Sequence, residues 1–335
     1  MSKARLVLLS GCLVLIASAT AYHQLDRELH KAFRGYSSTH RRFFIPRGQS
    51  ATAIAASLES DGIIHSARLF RWYLRLHGDS PSLRAGEYRF DRPMSLVEVA
   101  AKLRRGEIYY HKVTIPEGLD LNEICAQLAS KGFGRLEHLL QIARKPGMIA
   151  DLDPRATDLE GYLFPETYSL TRGVDERSIL QAMVDRFRKV WTPERWTRAR
   201  ELGMTMREVI TLASLIEKET RLPRERPFVS AVFHNRLKKN MNLECDPTVI
   251  YAVKSIKAYD GVIHRSDLRI DSPYNTYRYP GLPPGPIAAP GAASIDAALF
   301  PADVDYLYFV SKNDGSHVFS LRYRNHKRAV LKYQR

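Results

Sequence analysis

The sequence predicts a mixed α+β protein in three parts: an N-terminal transmembrane helix, a small strand–helix–helix–strand module, and a mainly helical domain with β-hairpins. Three observations predict it. A mostly apolar run, Leu6 to Ala21, follows Lys3 and Arg5 and ends before the first acidic residue, Asp26. A pattern of cap residue, apolar positions four apart and a closing glycine recurs between Phe44 and Gly132, accompanied by short β-like runs. Further on, a capping box opens a strongly periodic helix at Thr205, and Asn313-Asp314-Gly315 joins two β-like runs.

The length of 335 residues is enough for about two domains at roughly 150 residues each. With 44% hydrophobic and 26% charged residues the chain has a globular rather than a disordered balance. Cys12 lies in the apolar N-terminus, which leaves Cys125 and Cys245; two cysteines make no disulfide framework, and no Cys/His cluster has zinc-site spacing. His264, His317 and His326 likewise lack metal-ligand spacing. A net charge of +15 favours anionic partners. The basic residues are dispersed and no nucleic-acid module is present, so phospholipid headgroups or polymer carboxylates are expected rather than nucleic acid.

Residues 1–22 read as the anchor. Lys3 and Arg5 keep the N-terminus in the cytoplasm by positive-inside logic, so the rest of the chain is exported. About 16 apolar residues are short for a span, with Tyr22 placed to sit at the interface. Ala17-Ser18-Ala19 or Ala19-Thr20-Ala21 as a signal-peptidase site, and Leu9-Ser10-Gly11-Cys12 as a lipoprotein site, are the alternatives. Residues 23–42 are polar and read as a juxtamembrane stalk.

Residues 43–110 form the module. Phe44-Ile45-Pro46-Arg47-Gly48 precedes Ser50, Ile54, Leu58 and Gly62. Thr114-Ile115-Pro116-Glu117-Gly118 precedes Asp120, Ile124, Leu128 and Gly132 in the same spacing, and Ser95, Val99, Leu103, Gly106 is a partial third copy. Each copy reads as a short capped amphipathic helix. With Ser66–Leu76 as a second helix and β-like runs at Arg42–Ile45, Glu87–Phe90 and Tyr109–Ile115, the module resembles a LysM module, a common binder of N-acetylglucosamine-containing glycans.

The remaining domain, 111–335, carries helical patterns at Leu136–Ala143, Ile179–Trp191, Thr205–Thr220 and Phe228–Lys238. Tyr274–Gly291 reads as a structured loop, and Tyr306–Val310 with His317–Ser320 as a hairpin. On the Thr205 helix, Val209, Leu212, Ala213, Leu215 and Ile216 mark the buried stripe. At about 100° per residue, Glu219 falls roughly 50° from the stripe's centre and Glu217 roughly 110°. The pattern therefore hides Glu219 and exposes Glu217. Burial and the negative helix end both raise the Glu219 pKa, while Lys218 and Arg221 oppose this if they fold back. A carboxyl protonated near neutrality suits a general acid; an ion pair at a helix end is the structural alternative.

The run Leu212-Ala213-Ser214-Leu215-Ile216-Glu217-Lys218-Glu219-Thr220 resembles the catalytic helix of the endolytic murein transglycosylases (the MltG, or YceG-like, family). The resemblance continues in Leu159–Tyr168, in Val232-Phe233-His234-Asn235-Arg236-Leu237, in Cys245-Asp246-Pro247-Thr248-Val249-Ile250-Tyr251, in Tyr274-Asn275-Thr276-Tyr277 and in Gly281–Ile287. It covers the chain from about Phe44 to the hairpin. Cys245 and His234 stand where the family varies, and Glu166 replaces a common Asp.

The resemblance implies a single-pass inner-membrane protein whose catalytic body lies in the periplasm, with Glu219 as the catalytic residue and no cofactor. The implied substrate is the MurNAc–GlcNAc bond of peptidoglycan glycan strands, the implied products 1,6-anhydro-MurNAc ends, and cell-wall synthesis proteins are implied partners. One carboxyl suffices in such a reaction, because the nucleophile is the 6-hydroxyl of the same MurNAc and the carboxylate left by proton donation can take its proton. Asn235, Asp246, Thr248, Asn275 and Thr276 are candidate polar contacts, and Tyr251, Tyr274 and Tyr277 candidate stacking faces. Each has a structural alternative as cap, turn or core residue. A hydrolytic muramidase pairing Glu219 with Asp246 or Glu166, and a non-catalytic peptidoglycan-binding scaffold, are the competing functions.

Overall fold

A computed structural model describes residues 3–78 and 83–334. The chain divides into two compact units, Met1–His111 with Ser169–Gly173, and Lys112–Tyr168 with Val174–Arg335.

The first unit runs α1 (Lys3–His30), β1 (Arg41–Ile45), α2 (Ala51–Ser60), α3 (Ala67–Leu76), β2 (Gly86–Phe90) and α4 (Leu96–Arg105). β1 and β2 are antiparallel, with Phe43 opposite Tyr88. Along β1 the side chains alternate, so Phe43 and Ile45 face the core. Ile54 and Leu58 of α2, Phe70 and Leu74 of α3, and Val99 and Leu103 of α4 complete that core from positions four apart. The strand–helix–helix–strand order expected from the sequence is present, with a fourth helix packed on it.

Local signals set the helix starts. Ser50 caps α2 at Ala53 N (3.2 Å), and Ser95 with Glu98 forms a complete capping box on α4. Gly62 and Gly132, which close two copies of the repeat, both adopt left-handed φ (+68° and +75°), a conformation that glycine reaches without a Cβ clash.

Residues 23–42, polar enough to suggest a stalk, are helical as far as His30, and Leu25 and Leu29 pack on the core of the first unit. Two leucines one helical turn apart are easily concealed by charged neighbours. Phe33 and Met94 then exchange backbone hydrogen bonds (3.0 and 3.2 Å). Among the described residues no helix is long and apolar enough to cross a membrane. The orientation expected from Lys3 and Arg5 falls on side chains outside the described ones.

The second unit runs β3 (His111–Thr114), α5 (Leu121–Ser130), α6 (Leu136–Ala143), β4 (Thr167–Leu170), α7 (Glu176–Val190), α8 (Pro193–Glu201), α9 (Met206–Glu219), α10 (Arg226–Lys238), α11 (Asp246–Lys254), α12 (Ala292–Leu299), β5 (Tyr308–Ser311), β6 (His317–Ser320) and α13 (Tyr323–Tyr333). β3 pairs with β4 and β5 with β6. α9 is its centre, packed by α8, α10, α11 and α12. Every residue of α9 from Val209 to Ile216 is buried, including Ile210, Thr211 and Ser214. The one-sided stripe read from the sequence is thus a helix enclosed on all sides. Its small polar residues are satisfied internally: Ser214 Oγ donates to Thr211 O (2.7 Å) and accepts from Ile287 N (3.1 Å).

A buried polar knot ties the start of α9 to the loops around it. Asp153 accepts from Tyr162 Oη (2.5 Å) and Arg207 Nη1 (2.7 Å), while Arg207 Nε donates to Pro284 O (2.7 Å). Removing the carboxylate leaves the Arg207 charge without its partner, so Asp153→Ala is expected to cost about 3–5 kcal/mol. Thermal and denaturant unfolding of the variant check this; a loss within 0.5 kcal/mol, the ordinary range for surface positions, would refute the role.

Candidate active site

The C-terminal end of α9 opens onto a cavity of about 280 Å³. Its wall includes Glu219 from α9, Arg236 from α10, and Glu244, Asp246 and Tyr277 from the loops and start of α11. The β5–β6 hairpin contributes Phe309, Ser311 and His317, and α13 contributes His326 and Gln334.

Glu219 is the last residue of α9, and the capping box Thr205–Glu208 fixes where that helix begins. Desolvation pushes its carboxyl up to about 7; the Asp246 carboxylate adds to this, while a hydrogen bond from the Cys245 thiol and the Arg236 guanidinium oppose it. Cys245 is itself buried, and burial together with the Glu219 carboxyl holds its thiol well above the usual range. It is therefore a neutral donor at physiological pH. Cys125 is also buried, and neither cysteine is bridged.

Arg236 is the cation of the cavity, with a side chain only 7% exposed. Its Nε donates to Leu307 O (2.8 Å), and its Nη1 donates to Asn242 O (3.0 Å), Leu243 O (2.9 Å) and Glu244 Oε2 (3.0 Å). One guanidinium thus fixes the loop before α11 against the segment entering β5. Glu244, in that loop, holds a left-handed φ of 50°, an uncommon conformation for a residue with a Cβ.

Glu217 departs from expectation. Instead of facing solvent it has a side chain 7% exposed, pairs with Arg226 Nη2 (3.0 Å) and accepts from Gly291 N (3.0 Å). Glu117 lies against the same place, raised by burial and by the Glu217 charge, with Arg226 opposing. Gly291 leaves room there for Glu117, whose carboxyl would have to move for any Cβ at that position, since its Oε1 would stand 1.9 Å from it. The helix wheel ranks faces by a helix's own apolar residues; it cannot register a cation on α10 or an N–H at the start of α12.

The structure divides the other expected site residues. Asp246 and Tyr277 share the Glu219 cavity, joined by a Tyr277 Oη to Asp246 Oδ1 hydrogen bond (2.6 Å). Asn235 is committed to the scaffold, its Nδ2 donating to Val304 O (2.8 Å) and Tyr306 O (3.0 Å). Asn275 is fully buried, donating to Leu268 O and Ile270 O. Thr248 and Thr276 are buried with their hydroxyls 2.9 Å apart, and Thr276 Oγ1 accepts from Cys245 N (3.0 Å). These four position the wall rather than line it. Tyr251 and Tyr274 pack together (centroids 4.9 Å apart), and Tyr251 Oη donates to Glu160 (3.2 Å), away from the cavity. Glu166 is ion-paired to Arg186 and does not line the cavity.

Sequence reasoning left Arg236, His317 and His326 without a role. Arg236 lies inside one of the recurring motifs, which was a usable signal; the histidines reach the cavity only through the hairpin and α13. Among the described residues no three His, Cys, Asp or Glu side chains are grouped as a metal site.

Residues 43–332 match the model of the YceG-like family. The endolytic murein transglycosylase of Bacillus subtilis (strain 168) is 35% identical over 305 residues, covering 86% of this chain and 83% of that protein. The endolytic murein transglycosylase of Streptococcus pneumoniae (strain D39) is 29% identical over 322 residues, and the chain spans 57% of its length. The 2.6 Å crystal structure of a YceG-like protein from Listeria monocytogenes superposes with a TM-score of 0.60 at 31% identity, covering 87% of this chain and 99% of that one.

The two glutamates of α9 are expected to separate in stability measurements. Glu217→Ala leaves Gly291 N unpaired and the buried Arg226 with only the longer contact to Glu117 (3.5 Å), and should cost about 3 kcal/mol. Glu219→Gln should behave oppositely. A carboxyl raised to about 7 in the folded state gives stability below its ordinary value of 4.5 that is lost as pH rises through about 7, and the amide does not titrate. The Tm of Glu219→Gln relative to wild type should therefore rise between those two pH values. A flat difference would mean that the carboxyl is not desolvated.

Proposed function

The chain belongs to the YceG-like family and is a peptidoglycan lytic transglycosylase, and from that premise we propose that Glu219 is its general acid. The observation that carries the assignment is a carboxyl raised to about 7 on the wall of a polar cavity, at the end of a helix enclosed on every side. Such a group is protonated for a substantial fraction of the time near neutrality and becomes a carboxylate on donating its proton, as an acid acting on a glycosidic oxygen must.

In the proposed reaction Glu219 protonates the leaving oxygen of the MurNAc–GlcNAc bond as positive charge develops at C1. The 6-hydroxyl of the same MurNAc then closes on C1, giving a 1,6-anhydro end. The nucleophile is carried by the substrate, so its effective molarity replaces a bound water and a second carboxylate. Arg236 holds the cavity loop and places positive charge beside the carboxylate that forms. Asp246 and Tyr277 supply polar and aromatic surface to the sugar. Asp246 is the carboxylate that the hydrolytic alternative would use, because it lines the cavity with Glu219, whereas Glu244, the third carboxyl there, is paired with Arg236. The first unit, whose strand–helix–helix–strand order resembles a LysM module, is assigned to glycan binding.

Glu219→Gln is expected to reduce release of 1,6-anhydro muropeptides from purified sacculi by at least about 10²-fold, the lower range for loss of a general acid. In the wild type the rate should fall as pH rises through about 7. Mass spectrometry of the products reads both outcomes. Reducing ends in place of anhydro ends would move the assignment to a muramidase, and an active Gln variant would remove Glu219 from the chemistry.

The proposed location is the inner membrane, anchored by residues 1–22 with Lys3 and Arg5 on the cytoplasmic side and the catalytic unit in the periplasm, beside cell-wall synthesis proteins. An export-dependent reporter fused after Tyr168 or at the C-terminus should be active. A reporter active only in the cytoplasm at both points would overturn this location.

A further inference from the structure

The cavity holds a second proton-handling group that the single-carboxylate scheme leaves idle. His317, on β6, lines the same cavity as Glu219, and its side chain is 10% exposed. Behind it, Glu225 takes both available donors: Oε1 accepts from His317 N (3.1 Å) and Oε2 lies 2.7 Å from ring Nδ1. Glu225 is itself 10% exposed and does not line the cavity. A carboxylate only accepts, so Nδ1 carries a proton. In the neutral ring this leaves Nε2 with an unshared pair. Phe309 stands edge-on to the imidazole (centroids 5.5 Å, 87°) and Phe319 lies beside it (6.3 Å), so the ring plane is set as well as the tautomer.

This is the arrangement of a base with an orienting carboxylate: the acid behind the ring fixes the tautomer and stabilises the cation formed when the ring is protonated. The cavity size narrows what that base meets. At about 280 Å³ it is at the lower end of small-ligand pockets, about 300 Å³, which suits one sugar residue rather than several. Glu219 and His317 therefore address the same ring. The other titratable or charged groups on the wall are Arg236, Glu244, Asp246, Tyr277 and His326. Of these, Asp246 is bonded to Tyr277, and Glu244 to Arg236. Burial and the Arg236 charge lower the pKa of His326.

We propose that His317 Nε2 accepts the proton of the MurNAc 6-hydroxyl during ring closure, with Glu225 as the residue that orients it. The proposal rests on the reading of Glu219 as the acid and divides the proton transfers between two groups. The Glu219 proton goes to the glycosidic oxygen as the C1–O bond breaks. The hydroxyl proton goes to His317 as O6 bonds to C1. The cycle ends with a Glu219 carboxylate and a His317 imidazolium, and one proton passing between them through solvent restores both. The gain is timing: a single carboxyl must finish donating before it accepts, whereas two groups let bond breaking and ring closure overlap.

The experiment measures kcat, KM and pH profile on soluble glycan strands for His317→Ala, Glu225→Gln and Glu219→Gln, after Tm measurement of each; His317→Gln substitutes for the alanine variant if that one does not fold. His317→Ala is expected to lose about 10²-fold or more in kcat with little change in KM. It should keep the alkaline limb of the pH profile that Glu219 sets, and recover activity with added imidazole. Glu225→Gln should lower kcat without abolishing it. A folded His317 variant with wild-type kcat, or one that loses activity and gains nothing from imidazole, overturns the proposal. The acid assignment is read separately: an inactive Glu219→Gln beside a fully active His317→Ala would leave Glu219 as acid and remove only the second acceptor.

Discussion

Everything at the site depends on how the last turn of α9 treats two carboxyls two residues apart. Glu217 is given a cation and a backbone donor. Glu219 is given burial, a nearby carboxylate and a weak thiol donor, and its neutral form is favoured. The same helix end supplies both, and its dipole disfavours negative charge at either position. Without Arg226 to absorb the Glu217 charge, two carboxylates would compete at one negative helix terminus. The ion pair absorbs the charge of one of them, and burial favours the neutral form of the other.

The enclosure of α9 has the same logic. A helix buried on one face would leave its last turn wet, and a hydrated carboxyl keeps its ordinary pKa. Packing by α8, α10, α11 and α12 buries the rod from Val209 to Ile216, so the cavity at its end is a place the fold defines rather than a surface groove. Arg236 then closes the remaining degrees of freedom by holding four acceptors from the loop before α11 and the approach to β5. The Asn235 amide beside it ties α10 to the same approach through Val304 and Tyr306. Residues that look like sugar contacts in a linear motif are here the fasteners of the cavity wall.

What the sequence disclosed follows from the range of the interactions involved. Capping boxes at Ser95, Asp120 and Thr205 are local, and all three are present in the structure. The hairpin at Asn313-Asp314-Gly315 was legible for the same reason, with Asn313 in the left-handed region. α6 and β6 have the bounds the periodicity assigns. α8, α11, α12 and α13 were not read as helices: they are short, and the first three begin beside prolines or glycines that resemble loop punctuation. Long-range facts were out of reach. Neither the Arg226 partner of Glu217 nor the Glu225 partner of His317, 92 residues away in the chain, leaves a trace in periodicity.

The thiol at position 245 shows how finely such a site is balanced. A hydrogen bond to the charged form of a carboxyl lowers its pKa in proportion to the strength of the donor. A thiol is a weaker donor than a hydroxyl or a backbone N–H; Glu217 has the last of these and Glu219 has Cys245. Because burial keeps the thiol neutral, it holds the carboxyl in place without adding a charge of its own. The donor that orients the acid is therefore among the least able to ionise it. Orientation and protonation, which normally oppose each other at a buried carboxyl, are both retained at Glu219.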